Sequence, residues 1–175
     1  MRYISVVEAK ETPNNWYVVY TQTNAEKRAE ERLAQAGFEV YLPLYKSLRQ
    51  WSDRKKKVKL PLIRSVVFVR CAPQTLNAVY AIQGVKGVLK HLGQPAVVQA
   101  HEIRNLQLLL QESTPEEASI GSFRAGQDVA VVAGPFKGMH AKAIETLNAY
   151  RVAVSLELLG VAYVVHIPKS YIQVL

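Results

Sequence analysis

One cysteine in 175 residues, Cys71, leaves no partner for an internal disulfide and no second thiol for a paired redox or zinc motif. A chain with no disulfide framework is expected in a reducing compartment, so the cytoplasm is the predicted location. No apolar run approaches the ~18 residues a membrane span needs. The opening stretch, MRYISVVEAKETPNN, lacks the apolar core and small-residue cleavage site of a secretory signal. The four histidines, His91, His101, His140 and His166, are scattered without ligand spacing, so no metal is expected. No GxSxG, Gly-rich phosphate loop or pair of carboxylates occurs. Asp53, Asp128, Glu145 and Glu157 fall in unrelated segments. The chain is therefore expected not to be an enzyme; no cofactor is expected and no catalytic residue is nominated.

Acidic residues are also scarce: 14 against 22 Lys and Arg, for a net charge of +8. The imbalance is local. Lys46, Arg49, Arg54, Lys55, Lys56, Lys57, Lys59 and Arg64 meet one acid, Asp53, so this segment carries +7 of the +8. Charge runs are usually solvated faces. Confining like charges to one segment costs self-repulsion, however, and is the footprint of a surface that meets an anion. No basic amphipathic helix with an aromatic face accompanies the run, which points to nucleic acid rather than membrane. Arg54, Lys55, Lys56, Lys57 and Lys59 are predicted to form a loop on phosphates. Binding should then fall steeply with salt, because each neutralised phosphate releases counterions. Trp51 lies inside the run, where it could stack on an unpaired base or pin the loop to the domain.

Taken in order, residues 1–14 read as an extension. Residues 16–21, WYVVYT, carry bulk on both alternating faces, as a central strand does. A helix is predicted over 25–36, with Asn24 as N-cap, Gly37 just past its end and Ala25, Ala29, Leu33 and Ala36 on its inner stripe. Short strands over 38–43 and 65–70, a helix over 73–81, strands over 85–89 and 96–98, and a helix over 99–110 follow. That order predicts an α+β domain over 15–110, an antiparallel sheet with helices. Residues 111–122, with Pro, Gly, Ser and Glu and no basic residue, read as a linker. Residues 123–175 show no helix and five alternating runs, which fits a small all-β barrel.

These residues carry a family likeness. WYVVY, a helix carrying EKRAEERL, GFEVYLP, a basic loop, PLIRSVVFV and GVKGVL resemble the N-terminal (NGN) domain of NusG-type transcription elongation factors. FRAGQDVAVVAGPFKGMHAKAIE resembles the KOW domain, an SH3-like barrel, that follows it in those proteins. The string QWSDRKK ahead of PLIRSVVFV resembles the UpxY-type branch, antiterminators of surface-polysaccharide operons. The resemblance implies a non-enzymatic regulator that docks on the clamp helices of the largest subunit of RNA polymerase and suppresses pausing. It places Tyr20, Val66 and Phe68 at that contact; without it, all three read as core. It places Lys27, Arg28, Arg49 and Arg54 near DNA, and the basic loop could also meet nascent RNA. It implies that the KOW module recruits Rho or a small-subunit ribosomal protein, with Phe136 and Lys137 in its GPFKG loop as contacts. The family commonly carries an aromatic where Val66 stands, Pro-Gly or Pro-Asn where Arg64-Ser65 stands, and glycine where Ala141 stands. A second class remains open, an RNA-binding translation or ribosome-assembly protein, because KOW domains occur there too. The sequence leaves open whether the two modules pack together.

Overall fold

A computed structural model of the chain describes residues 13–50, 55–112, 119–120, 126–145 and 150–175. Strand β1 (Asn15–Thr21) leads to helix α1 (Glu26–Gln35), β2 (Glu39–Tyr41), a hairpin of β3 (Leu44–Gln50) and β4 (Lys55–Pro61), and β5 (Val66–Cys71). A 3-10 helix (Leu76–Ala81) precedes β6 (Val85–Val88), the short pair β7 (Lys90–His91) and β8 (Gln94–Pro95), β9 (Val97–Val98) and helix α2 (Ala100–Glu112). The C-terminal module holds β10 (Ser119–Ile120), β11 (Asp128–Val131), β12 (His140–Glu145), β13 (Tyr150–Leu156), β14 (Val161–Ile167) and β15 (Ile172–Val174).

The first sheet has the order β2-β5-β1-β6, and β9 also pairs with β1. These pairings are antiparallel, with Val18 opposite Phe68 and Tyr20 opposite Val66. Strand β1 is central, as bulk on both its faces requires. Tyr17 and Val19 pack with Val67, Val69, Leu33 of α1, and Leu76 and Val79 of the 3-10 helix. Trp16 and Val18 pack with Val66, Phe68, Val98, and Ile103, Leu106 and Leu109 of α2. The sheet is thus covered on both sides.

Helix α1 ends as its sequence dictates. Gly37 takes φ 88. Its N–H bonds the Ala34 carbonyl at 3.0 Å, and the Phe38 N–H bonds the Leu33 carbonyl at 3.1 Å. That is the Schellman pattern, which glycine permits without a Cβ clash. The start departs from expectation. Asn24 sits at φ 61 and makes no cap; the cap position is Ala25, without a side-chain hydrogen bond. Glu26 is buried beside Ala29 and Leu33, whereas Ala36 faces solvent. The helix predicted over 73–81 is a shorter 3-10 turn, and α2 runs on to Glu112. Ser119 and Ile120, read as linker, pair with Val164 and Tyr163 of β14.

The second sheet runs β10-β14-β13-β12-β11-β15, all antiparallel. Its inner side chains, among them Val129, Val152, Val154, Tyr163 and Ile167, join the same cluster as α2 and the first sheet. One apolar core therefore runs from the N-terminal sheet through α2 into the C-terminal module.

Candidate functional site

The basic segment is not a loop over its described residues. Lys55–Pro61 is a strand, paired residue for residue with Leu44–Gln50, from Leu44 opposite Pro61 to Gln50 opposite Lys55. Together β3 and β4 carry six basic residues and no acid. Opposed residues on antiparallel strands point to the same face, so Lys46 and Lys59 stand side by side; Lys57, two residues on, shares their face. All three are exposed. Like charges directly opposed destabilise a strand pair, and no carboxylate pairs with these three among the described residues. Arg49, Lys55 and Lys56 lie on the same two strands, Arg49 in register with Lys56. Trp51 and Arg54 lie outside the described residues.

Among the described residues the hairpin forms a two-stranded sheet of its own, with no ladder to the main sheet. It is fastened at its root. The Leu62 N–H bonds the Pro43 carbonyl at 2.8 Å and closes the base. Lys27 Nζ donates to the Lys59 carbonyl at 2.8 Å. The Ser65 N–H donates to Glu26 Oε1 at 2.7 Å, and the Thr21 N–H to the Ser65 carbonyl at 3.0 Å. Ser65 takes φ 57, the left-handed region that glycine and asparagine enter most easily. This chain holds that conformation with serine. Lys27 is thus brought to the hairpin, and Arg28 is exposed one residue along α1. Glu26 is a residue that sequence reasoning missed. An acid in a first helical turn reads as a partner for the helix dipole, and nothing local marks it as an acceptor for an amide 39 residues away.

The apolar residues Tyr20, Val66 and Phe68 share one sheet face, and the structure gives them unequal access. Val66 is 3% exposed and Phe68 0%, both inside the cluster with α2, while Tyr20 is 36% exposed. Tyr41 stacks on Phe68 with ring centroids 6.2 Å apart. Burial also pushes the Tyr41 phenol well above the ordinary range, so it stays un-ionised.

Helix α2 connects the two modules. Asn105, 4% exposed, donates from Nδ2 to the His140 carbonyl, and its Oδ1 accepts from the His140 N–H at 3.4 Å. The side-chain amide thereby reads both backbone groups of one residue in β12, as a neighbouring strand would. Beside it, Glu102, Asn105, Asp128, His140 and Lys142 line a cleft of about 620 Å³. In the C-terminal module the GPFKG turn has Phe136 turned inward at 9% exposure and Lys137 exposed. Gly134 stands at φ +77, and a Cβ there would come within 2.5 Å of the Tyr171 ring. Among the described residues no group of three or more His, Cys, Asp or Glu could hold a metal ion. Among them, too, no helix is long and apolar enough to cross a membrane.

The described residues thus form two β-rich modules, the first carrying a polycationic hairpin on β3 and β4. The family described as "Transcription termination factor nusG" has a model that matches residues 14–107, more than half of the chain. The chain belongs to the NusG family of transcription termination and antitermination factors. It is 26% identical over 155 residues to the transcription termination/antitermination protein NusG of Rickettsia felis, covering 81% of each chain. It is 26% identical over 133 residues to the NusG of Rickettsia conorii, covering 70% of this chain and 69% of that one. Among solved structures, "Domain interaction in Thermotoga maritima NusG" aligns at 23% identity over 93% of this chain and 97% of that one, with TM-score 0.46.

Proposed function

We propose that this chain binds RNA polymerase through its N-terminal domain while the β3–β4 hairpin holds a nucleic-acid strand, so that pausing and termination are suppressed. The observation that carries the reading is the hairpin face on which Lys46, Lys57 and Lys59 crowd together, with no carboxylate paired to them among the described residues, on a stalk bonded to the domain at its root. Membership of the NusG family supports the polymerase as the protein partner. The clamp helices of its largest subunit are the proposed dock, reached first through Tyr20, the exposed member of the apolar trio. Engaging Val66 and Phe68 requires the cluster that now buries them to open. The domain limits proposed are 15–110 and 123–175; of the segment 111–122 between them, residues 111 and 112 complete α2 and Ser119 and Ile120 add β10 to the C-terminal sheet. Lys137 at the GPFKG turn is the accessible point for a second partner, Rho or a small-subunit ribosomal protein, with Phe136 anchoring the turn beneath it. The QWSDRKK string supports service to specialised surface-polysaccharide operons.

The test separates the two surfaces. The triple charge reversal Lys46→Glu, Lys57→Glu, Lys59→Glu should retain binding to purified RNA polymerase and lose affinity for single-stranded DNA. The slope of log affinity against log salt should flatten by about 0.7 for each phosphate no longer neutralised. Tyr20→Ala should do the reverse. Unchanged DNA affinity and salt slope in the triple variant would remove the hairpin from the reading. Unchanged polymerase binding in Tyr20→Ala would remove the sheet face.

A further inference from the structure

We infer that Glu26 is a positioning residue for the hairpin, and that the Glu26–Ser65 hydrogen bond sets the direction in which the cationic face points. The inference rests on the proposed nucleic-acid role of that hairpin for its functional meaning, though not for its geometry. A two-stranded ribbon is at best marginally stable alone and has no fixed direction except through its root. The root here has one joint in which a charged acceptor is buried. Glu26 is 5% exposed, and Oε1 receives the Ser65 N–H at 2.7 Å. A carboxylate is costly to bury, and a backbone amide aimed at it offsets that cost with a charge-assisted bond. Ser65 is the last of the four residues between the hairpin and β5, and its φ of 57 sets the turn by which the chain enters β5. The same residue's carbonyl is bonded by the Thr21 N–H of β1. Ser65 is therefore gripped on both backbone groups, from α1 and from β1. One residue along α1, Lys27 holds the Lys59 carbonyl, so the first turn of the helix touches both the hairpin and the turn that leaves it.

The lysine face thus sits on a frame whose one buried charged joint, among the described residues, is Glu26. With that joint cut the lysines remain, yet they sample many directions, and the entropy of ordering them must be supplied on binding. The experiment reads direction and affinity separately in the full chain. Spin labels on Ser47→Cys and Asn77→Cys, in a Cys71→Ala background, report the distance distribution between hairpin and body. A single-stranded oligonucleotide reports affinity in the unlabelled protein. Glu26→Asp keeps the charge but falls a methylene short. It should broaden the distribution and weaken binding by about tenfold, the equivalent of one hydrogen bond. Glu26→Ala should do the same, and Glu26→Gln, which keeps an acceptor oxygen but loses the charge, should broaden the distribution and weaken binding less than Glu26→Asp. Thermal melting establishes that each variant is folded; Glu26→Asp and Glu26→Gln retain a polar group at the site and decide the matter if Glu26→Ala does not fold. A distribution unchanged in Glu26→Asp, or one as broad in Glu26→Gln as in Glu26→Asp, would overturn the inference. A broadened distribution with unchanged affinity would uphold the joint and sink the nucleic-acid reading of the hairpin instead.

Discussion

Replacing Phe68 by alanine tests whether the apolar sheet face is core or interface. The side chain is 0% exposed, on β5 between β2 and β1, opposite both Tyr41 and Val18. Truncating a buried phenylalanine costs about 3–5 kcal/mol through forfeited transfer energy and the cavity left behind. The stack on Tyr41, with ring planes 27° apart, contributes ~0.5–1.5 kcal/mol beyond burial and disappears too. A loss near ~4 kcal/mol is a large share of the ~5–15 kcal/mol that holds an ordinary domain. Melting should drop by roughly 10 °C for a chain of this size. Phe68→Asp should do worse, because it adds an unpaired charge to the same site.

Urea unfolding followed by circular dichroism gives the measurement. The midpoint should fall with the slope unchanged, since the surface exposed on unfolding is nearly the same. Tyr20→Ala is the paired control; at 36% exposure and near the strand end it should cost under ~1 kcal/mol. If Phe68→Ala keeps parental stability, Phe68 is not a core residue, whatever the change does to polymerase binding. Phe68 is core if the variant is destabilised and polymerase affinity changes only in step with the folded fraction.

Gly134→Ala should destabilise the C-terminal module by about 1–3 kcal/mol, through both the positive φ and the collision with Tyr171; a parental melting curve would refute it. Asn105→Ala leaves the His140 N–H and carbonyl without their side-chain partner and should cost ~1–3 kcal/mol. The His140 amide should then exchange hydrogen faster, and retained protection would refute the bond's importance. Burial pushes the Tyr163 phenol from 10.0 up to about 12. Because the unfolded chain ionises first, this group's contribution is intact below pH 10 and is lost as pH rises toward about 12. Denaturation of the module in that window should track tyrosinate absorbance, and a flat stability between those limits would refute the assignment.

The WYVVYT strand was legible because bulk on both faces leaves no side free, and β1 is indeed bonded on both edges. Gly37 was legible because one position past the helix needs a left-handed residue. The strand character of KKKVKLP was not, since lysine runs have weak β preference and here the partner strand and the root bonds supply the order. Asn24 misled because a capping residue type can take its positive φ in a turn instead. The placing of Val66 and Phe68 on one face followed from strand alternation. Their cover did not, because it depends on how α2 lies across the sheet, which no local pattern encodes. Glu26 is the extreme case, its partner being an amide that carries no side-chain signature.

The two surfaces of the proposed function are closer in the chain than their chemistry implies. Ser65 ends the hairpin root, Val66 begins β5, and Phe68 follows two residues later on the same face. A rigid root and a sealed core therefore constrain the same backbone. An apolar face on this scale is not left in water without a partner, and here α2 with Ile103, Leu106 and Leu109 supplies one from within. Helix α2 is in turn bonded through Asn105 to β12. Any protein that docks on Val66 and Phe68 must offer at least the packing it displaces, and its measured affinity falls short of its intrinsic affinity by the fraction of chains in which the face is open. Loosening Asn105 from His140 is the perturbation that acts on α2's attachment without touching the face itself, so it should raise polymerase affinity if release of α2 or its neighbours limits access, and leave it unchanged if Tyr20 and the hairpin suffice.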